Sequence, residues 1–281
     1  MRASSGGSWE GAVSPPIPDR PERPRSAGVT MVIDKGMGPA QTADFLDLAG
    51  RYVDFVKFAF GSSVLYPPQA LSAKISMLRA GGVHVYPGGT LLELAAASGA
   101  EEAFLDKAAD LGFTCIEVSE GTIDLNPKAR SGLIRKGLER GLTVLTEIGK
   151  KDGSRPLEPE KAAAQAQEDL TAGASWVIIE GRDSGVGVGV YDESGAAAEE
   201  LIGEIADRSG APERLIWEAP QPKQQQTFLL RWGPLVNLGN VHPADVITLE
   251  SMRRGLRSET LRRSLAEAPG WGQAAAGRIR L

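Results

Sequence analysis

The chain has 281 residues, a formal net charge of −5 and 42% hydrophobic residues. This composition excludes a wholly disordered chain, and the lack of a broad basic stripe argues against duplex nucleic acid as a partner. One cysteine and two histidines exclude an internal disulfide and a cysteine zinc cluster, and they argue against a histidine-built metal site.

The two ends of the chain differ in composition from the middle. Residues 1–27 are rich in Pro, Ser, Gly and Arg and contain little to bury, so we expect a disordered arm. Residues 266–281 are predicted to form a flexible tail, and residues 28–265 contain no linker and are predicted to form a single domain. No apolar stretch reaches the roughly 20 residues of a membrane span and no secretory signal precedes the domain, so we expect a cytoplasmic protein without a membrane partner.

Eight short β-rich runs recur through the predicted domain, separated by segments with apolar residues at helical spacing. The predicted strands are Val29–Asp34, Phe55–Phe60, Val83–Tyr86, Phe113–Val118, Leu142–Glu147, Trp176–Glu180, Leu215–Glu218 and Leu235–Leu238. Near-continuous apolar strands of this kind fit a parallel sheet that is covered on both sides. Eight strand–helix units predict an α/β fold, the (β/α)8 TIM barrel.

A doubly wound open sheet is the alternative fold. Its dinucleotide-binding fingerprint requires a glycine-rich turn after the first strand, where this chain has Asp34-Lys35-Gly36. The sequence therefore favours the barrel.

In a barrel of this type, the active site forms where the strands end and the following loops begin. Five predicted strands end in a carboxylate, and lysines and arginines stand close by in sequence. Carboxylates that are brought together raise one another's pKa unless a cation lies among them, and oxygen ligands without histidine suit Mg2+. Neighbouring basic residues suit a phosphorylated or carboxylated substrate.

Several of these residues have a structural interpretation as well. Lys35 and Lys57 could equally form structural ion pairs with barrel carboxylates, and paired lysines such as Lys150 and Lys151 are commonly solvated. The basic run Arg253–Arg257 fits either a helix end or a phosphate site near the last barrel units.

The segments at the strand ends, taken together and in this order, closely resemble the phosphosulfolactate synthase family from about residue 29 to about residue 260. The matching stretches are Val32–Gly36, Asp54–Phe58, Val85–Thr90, Leu145–Lys151, Val177–Arg182, Glu218–Gln221, Val236–Leu238 and Arg253–Arg257.

The resemblance implies a (β/α)8 barrel that adds sulfite to phosphoenolpyruvate in a Mg2+-dependent reaction. The product would be (2R)-2-O-phospho-3-sulfolactate, an early intermediate of coenzyme M biosynthesis. Members of the family suggest a homo-oligomer, such as a trimer.

The resemblance also implies roles for individual residues. Lys151 is the expected proton donor and Lys150 the second candidate, because a partly desolvated lysine near other cations can have a pKa low enough to exchange protons. The expected metal ligands are Glu147 and Glu180, then Asp34 and Glu218. The expected substrate-binding residues are Lys35, Lys57, Arg182, Ser184, Gly88 and Gly89.

Two departures from the family pattern leave other functions open. Val186 replaces a lysine that is usual in the family, and Pro234-Leu235 replaces small hydroxyl residues near an expected phosphate site. The alternatives are a relative that adds another nucleophile to phosphoenolpyruvate or a related acid, and a barrel aldolase with Lys57 or Lys151 as Schiff base. A non-catalytic, stress-associated barrel is the alternative from another class of protein.

Overall fold

The computed structural model describes residue 9 and residues 11–151 and 155–267. Its strands are β1 (Thr30–Asp34), β2 (Phe55–Phe58), β3 (His84–Tyr86), β4 (Cys115–Val118), β5 (Thr143–Ile148), β6 (Trp176–Ile179), β7 (Leu215–Glu218) and β8 (Leu238–Val241). Its helices are α1 (Pro39–Ala49), α2 (Pro68–Ala80), α3 (Gly89–Ala97), α4 (Glu101–Leu111), α5 (Pro127–Glu139), α6 (Pro159–Ala172), α7 (Glu199–Ser209), α8 (Pro222–Trp232), α9 (Val246–Arg253) and α10 (Ser258–Glu267).

All eight strands are parallel and lie in the order β3-β2-β1-β8-β7-β6-β5-β4. The two outer strands of this order also meet, because the amide of Thr114, just before β4, donates to the carbonyl of Val85 in β3 at 3.1 Å. The sheet is therefore a nearly closed barrel with helices between its strands, which confirms the predicted (β/α)8 fold.

Side chains alternate along each strand between the barrel interior and the helix layer. The interior begins with an apolar cluster: Val29, Met31, Phe55, Tyr86, Cys115, Leu145, Trp176, Ile178 and Ile216. Their neighbours along the strands, such as Val32, Val56 and Ile116, belong to a second cluster that the helices cover. Five charged residues follow inner-layer residues by two positions and therefore also face the interior: Lys57, Glu117, Glu147, Glu180 and Glu218.

The starts of many helices are encoded by proline, which fits the first turn because its fixed φ is helical and it needs no hydrogen-bond acceptor there. Five helices begin at a proline: α1, α2, α5, α6 and α8. The connections before α1 and α8 are short, so their prolines place these helix starts close to the ends of β1 and β7.

The eighth strand was predicted at Leu235–Leu238, and this position is wrong, because β8 spans Leu238–Val241. Asn237 ends the preceding turn, where its side chain accepts from the amide of Val29 at 2.9 Å and donates to the carbonyl of Leu215 at 2.9 Å. Gly239 lies within β8, and the position requires glycine because a side chain there would overlap Met31. The strand was misplaced because it contains a glycine and an asparagine, which are residue types typical of turns.

The second strand ends two residues earlier than predicted, at Phe58. Phe60 and Gly61 both have positive φ, 56° and 64°, and lie in a 3-10 segment, Ala59–Leu65. This left-handed turn exposes the Phe60 side chain at the mouth of the barrel.

The predicted arm contacts the barrel through three arginines at the amino-terminal ends of the strands. Arg20 is buried, donates to the carbonyl of Gly28 and pairs with Glu250. Arg23 donates to backbone carbonyls around β2 and β3, and Arg25 pairs with Asp54. The predicted tail coincides with the end of α10 and, from residue 268 onward, lies outside the described residues.

The shifted β8 also corrects the expected position of Pro234-Leu235. These residues precede β8, where the Leu235 carbonyl accepts from the amide of Gly28, so they lie at the end of the barrel opposite the strand-end carboxylates. Arg253 is buried there and donates to the carbonyls of Pro234 and Val236. Arg253 is therefore a structural residue at the closed end of the barrel, away from any phosphate at the mouth.

Candidate active site

Lys57 lies inside the barrel, at the level where the strands end, and its ammonium group contacts three carboxylates. Its Nζ atom is 2.8 Å from Glu147, 3.0 Å from Glu117 and 3.2 Å from Glu218. All four residues are buried, and the three glutamates come from β4, β5 and β7. This ammonium group is therefore the counter-ion of an acidic cluster, and it is not left free for a substrate anion as one sequence interpretation expected.

The charges in this cluster are unequally distributed. Burial alone would lower the pKa of Lys57, but Glu117, Glu147 and Glu218 outweigh it and raise that pKa well above its usual value. Burial would raise the pKa of Glu147, but Lys57 and Lys151 lower it to about 2. Glu147 is therefore ionised and Lys57 protonated throughout the physiological range.

A second part of the cluster is formed by Glu147, Glu180 and Glu218, which each place one oxygen within 4.8 Å of the others. Burial, followed by the charges of Glu147 and Glu218, raises the pKa of Glu180 well above its usual value. One oxygen of Glu147 and one of Glu180 are buried and accept no hydrogen bond from the part of the chain that the structure describes. This acidic triad could hold a metal ion, and three of the four predicted ligands are Glu147, Glu180 and Glu218.

The fourth predicted ligand, Asp34, lies outside the triad. Asp34 follows Val32 by two positions and therefore points into the helix layer, where it pairs with Lys74 of α2 at 2.6 Å. Its other oxygen accepts from the amides of Gly36 and Met37 at 2.8 and 2.7 Å. Both carboxylate oxygens are thus occupied, and Asp34 shapes the loop after β1.

Glu117 is the member of the cluster that the sequence did not single out as a site residue. One of its oxygens accepts from the amide of Gly89, the first residue of α3, at 2.8 Å. Burial and the charge of Glu147 raise its pKa to about 7, despite the opposing effect of Lys57. Its place on β4, two positions after the inner-layer residue Cys115, could have identified it as a site residue from the sequence.

The glycine-rich turn after β3 supports this carboxylate. The amide of Gly89 is used by Glu117, so it is not free for an anion, and a side chain at Gly89 would overlap both Ser119 and Glu117. Gly88 has a φ of 76°, and a side chain there would lie against the Phe58 carbonyl. Both glycines are required by the close approach of α3 to the acidic cluster.

Lys151 and Lys150 point to different places. The Nζ atom of Lys151 is 3.6 Å from Glu147 and 3.4 Å from the hydroxyl of Thr90. The Nζ atom of Lys150 pairs with Asp124 at 2.7 Å and donates to two backbone carbonyls of the loop after β4. Only Lys151 therefore reaches the acidic cluster.

The sequence predicted a lowered pKa for Lys151, and the surroundings of this residue show that the prediction is wrong. Burial and Lys57 lower its pKa, but Glu147, Glu117 and Glu180 act in the opposite direction, and the net shift is upward. Lys151 therefore keeps its proton at neutral pH, as a residue that donates a proton must before it reacts.

Cationic groups also lie at the rim of the barrel mouth. Lys35, in the loop after β1, pairs with Asp183, in the loop after β6, at 2.9 Å, and both side chains are partly exposed. Arg182 has a φ of 63°, its amide donates to Glu180 at 2.7 Å, and its side chain is exposed. Ser184 is exposed on the same loop, where its carbonyl accepts from Gln221.

Asn240 is another residue that sequence reasoning missed, because the eighth strand was misplaced. It lies in β8 with a φ of 51°, and its side-chain amide donates to the carbonyl of Arg182 at 3.3 Å. Its side-chain oxygen is buried without a hydrogen-bond partner. The predicted strand pointed to Asn237 instead, which lies at the other end of the barrel.

Comparison with known proteins identifies the family. The (2R)-phospho-3-sulfolactate synthase (ComA) family matches residues 18–259. The chain belongs to this family. This confirms the resemblance inferred from the strand-end segments.

Relatives from methanogens cover nearly the same length. The phosphosulfolactate synthase of Methanothermobacter thermautotrophicus is 43% identical over 246 residues, which are 87% of this chain and 95% of that protein. The enzyme of the same name from Methanocaldococcus jannaschii is 40% identical over 235 residues, 83% of this chain and 93% of that protein.

Among solved structures, the YdjI aldolase from Escherichia coli K12 is similar in fold, with a TM-score of 0.53 and 13% identity over 89% of this chain and 94% of that chain. Within residues 11–151 and 155–267, no helix combines the length and apolar character needed to cross a membrane.

Lys57→Met tests the cluster directly. The substitution leaves three buried carboxylates without their counter-ion, so we expect the free energy of unfolding to fall by about 3–5 kcal/mol. The loss should grow from pH 5 to pH 8, because the carboxylates can compensate by binding protons only at low pH. The measurement is urea unfolding at several pH values.

Lys35→Met is the matched control, since it breaks an ion pair at the exposed rim of the same site. Its expected cost is below about 1 kcal/mol. Equal losses in the two variants would contradict the role of Lys57 as the counter-ion of the cluster.

Proposed function

We propose that the protein is a cytoplasmic phosphosulfolactate synthase that adds sulfite to phosphoenolpyruvate with the help of Mg2+. The observation that carries this proposal is the Nζ atom of Lys151, held 3.6 Å from a buried acidic triad at the mouth of the barrel. A protonated lysine beside a cation-binding group of carboxylates suits a reaction in which charge first builds on a substrate carboxylate and a proton is then delivered.

The residues at the triad fit Mg2+. They offer oxygen atoms only, and two buried oxygens, one on Glu147 and one on Glu180, accept no hydrogen bond from any described residue. Glu147, Glu180 and Glu218 would hold the ion, and Mg2+ would act there as a Lewis acid that neutralises the substrate carboxylate. Lys57 keeps these carboxylates together before the ion binds.

Lys151 would act as the acid in this reaction. The sulfur atom of sulfite forms a bond to the methylene carbon of phosphoenolpyruvate, and the electron pair of the double bond moves toward the carbon that carries the phosphate and the carboxylate. Lys151 then donates its proton to that carbon and is left as a neutral amine, which solvent protonates again. Because Lys151 approaches from the β5 side only, the proton arrives on one face.

The anionic groups of the substrates require cations outside the acidic cluster. Arg182 is suited to this role, because its side chain makes no hydrogen bond or ion pair with any residue of the described part of the chain. Lys35 lies nearby and would exchange Asp183 for a substrate anion. Ser184 offers a hydroxyl group on the same rim. We assign these three residues to the phosphate and sulfite groups.

The alternatives receive less support. A Schiff-base aldolase needs a lysine that loses its proton readily, whereas the pKa values of Lys57 and Lys151 are both raised. A non-catalytic barrel has no use for three buried carboxylates around one lysine with a fourth beside them, an arrangement that costs free energy to desolvate. A relative with another nucleophile remains the second candidate, because Val186 occupies the exposed rim where the family usually has lysine.

The first test is product formation from phosphoenolpyruvate and sulfite, with Mg2+ or with EDTA, followed by mass spectrometry. We expect a Mg2+-dependent phosphosulfolactate peak that falls by at least about 100-fold in Lys151→Ala, because general acid catalysis contributes about 10²–10⁴-fold. Lys150→Ala should lose less activity than Lys151→Ala, since Lys150 contacts the loop after β4 and does not reach the acidic cluster.

Lys151→Cys provides a sharper form of this test. Alkylation with bromoethylamine restores an ammonium group at residue 151 only, because Cys115 is buried and burial raises the pKa of its thiol to about 12. Recovery of activity on alkylation would support the role of Lys151 as acid. Full activity in Lys151→Ala would refute it, and a folded wild type without product would favour another nucleophile.

Mg2+ binding should depend on pH. Glu117 and Glu180 have raised pKa values, so without a cation their stabilising contribution is complete below about pH 4.5. The contribution of Glu117 is lost as the pH rises through about 7, and that of Glu180 as the pH rises through its own raised pKa. We expect the protein in EDTA to lose on the order of 2 kcal/mol of stability between pH 5 and pH 8. Mg2+ should reduce this loss and bind more tightly as pH rises, because it favours the ionised carboxylates.

The measurement is thermal unfolding from pH 5 to pH 8 with EDTA or Mg2+. Glu180→Gln should reduce both the pH dependence in EDTA and the stabilisation by Mg2+. Glu204→Gln, a variant at an exposed glutamate of α7, is the control and should behave as the wild type. Unchanged Mg2+ stabilisation in Glu180→Gln would show that the ion binds elsewhere.

We further propose that the protein is a homo-oligomer whose copies meet at an apolar patch beside the barrel mouth. Phe60, Val64, Leu65 and Leu94 are between 63% and 81% exposed there. Val64 and Leu94 line a groove of about 580 Å³ between α2, α3 and α4. A contiguous exposed apolar surface of this kind is typical of an interaction site.

Light scattering after gel filtration tests this assembly. We expect the wild type to have a mass that is a multiple of 29.7 kDa, and the double variant Val64→Glu, Leu65→Glu to be a monomer. Leu48→Glu is the control, because Leu48 is equally exposed but lies on α1. A monomeric wild type, or an oligomeric double variant, would refute this interface.

A further inference from the structure

A buried carboxylate on the helix layer, Glu93 of α3, accepts four hydrogen bonds from a single loop. One oxygen accepts from the hydroxyl of Ser119 at 2.6 Å and from the amide of Gly121 at 3.1 Å. The other accepts from the amides of Thr122 and Ile123 at 2.8 and 3.1 Å. Glu93 is only 3% exposed, and its four hydrogen bonds hold the loop that follows β4 in place.

The two lysines that follow β5 both contact this loop. The carbonyl of Gly121 accepts from the amide of Lys151 at 3.1 Å. The Lys151 side chain lies across Gly121, since a Cβ atom on that glycine would be 2.8 Å from Cε of Lys151 and 3.0 Å from its Cδ and Cγ. Lys150 is bound through its Nζ atom to the carbonyls of Glu120 and Ile123.

Helix α3 therefore holds Lys151 in two ways. Thr90, in its first turn, contacts the Nζ atom at 3.4 Å, and Glu93, one turn later, holds the loop against which the side chain lies. Glu93 itself touches neither the acidic cluster nor Lys151 in any hydrogen bond or ion pair between described residues. Its four acceptor positions are spent on the loop.

We propose that Glu93 is a positioning residue that fixes the ammonium group of Lys151 at the reaction centre through the loop 119–123. This inference rests on the proposed function for its catalytic consequence, but the placement of Lys151 can be measured without any substrate. A misplacement of about 1 Å at a reacting group costs on the order of 100-fold in rate, so the loop is placed to control kcat rather than substrate affinity.

Two variants move the loop and the lysine by independent routes. Glu93→Gln replaces one acceptor oxygen with an NH2 group, which faces at least one backbone amide whichever oxygen is replaced, so at least one of the four hydrogen bonds becomes a contact between two donors. Gly121→Ala leaves Glu93 intact and displaces the Lys151 side chain directly. Gly121 lies outside the positive-φ region, and the three atoms nearest to its new methyl group belong to the flexible Lys151 side chain, so this variant is expected to fold.

The experiment measures kcat and KM with phosphoenolpyruvate, sulfite and Mg2+, together with the rate at which Lys151 is labelled by reductive methylation. Labelling at one pH is followed by peptide mass spectrometry, with the exposed Lys161 as internal reference. We expect both variants to lower kcat by about 10- to 100-fold with little change in KM, and to label Lys151 several-fold faster. Ser119→Ala, which removes one donor of four, should give a smaller change.

Gly132→Ala on α5 is the matched control, because a side chain there meets nothing within 4 Å. Wild-type kcat and wild-type labelling of Lys151 in folded Glu93→Gln and Gly121→Ala would overturn the proposal. If the wild type forms no phosphosulfolactate, the proposed function fails, and the labelling rates still decide the role of Glu93. Faster labelling in both variants then upholds it, and unchanged labelling refutes it.

Discussion

The ammonium group of Lys57 is the interaction on which the open end of the barrel depends. Three carboxylates lie within 3.2 Å of it, and all four residues are buried. Without a cation, carboxylates at this separation would repel one another and bind protons instead. Lys57 allows strands β4, β5 and β7 to bring their glutamates to one point.

One lysine cannot neutralise four glutamates, and the consequence is an uneven charge distribution. Glu147, close to both Lys57 and Lys151, stays ionised with a pKa of about 2, whereas the pKa of Glu117 rises to about 7 and that of Glu180 rises as well. The cluster thus has a deficit of positive charge that a divalent cation would fill. The same charge balance keeps the proton on Lys151.

Much of this arrangement could be predicted from the sequence, because the alternation of a strand fixes which side chains share a face. Glu147, Glu180 and Glu218 each follow an inner apolar residue by two positions. The same rule, applied to Asp34, would have placed it in the helix layer, since it follows Val32 and lies beside the outward-facing Phe58. The position of β8 could not be read, because Gly239 and Asn240 have the composition of a turn. Glu93 carried no signal at all, since a glutamate within a helix is ordinarily solvated.

The two sides of the barrel mouth are built differently, and this bears on which substrates the protein accepts. On the β4–β5 side, the loop against which Lys151 lies is held by hydrogen bonds to the buried Glu93. On the β6 side, Arg182 and Val186 lie on an exposed loop whose backbone is held by Gln224 and Asn240. The proposed proton donor therefore lies beside a loop that a buried carboxylate holds, and the proposed anion contacts lie on an exposed loop. The valine at residue 186 changes the charge on this exposed loop, which is a different loop from the one that carries Lys151, so we expect substrate choice to diverge in this fold more readily than the proton-transfer chemistry.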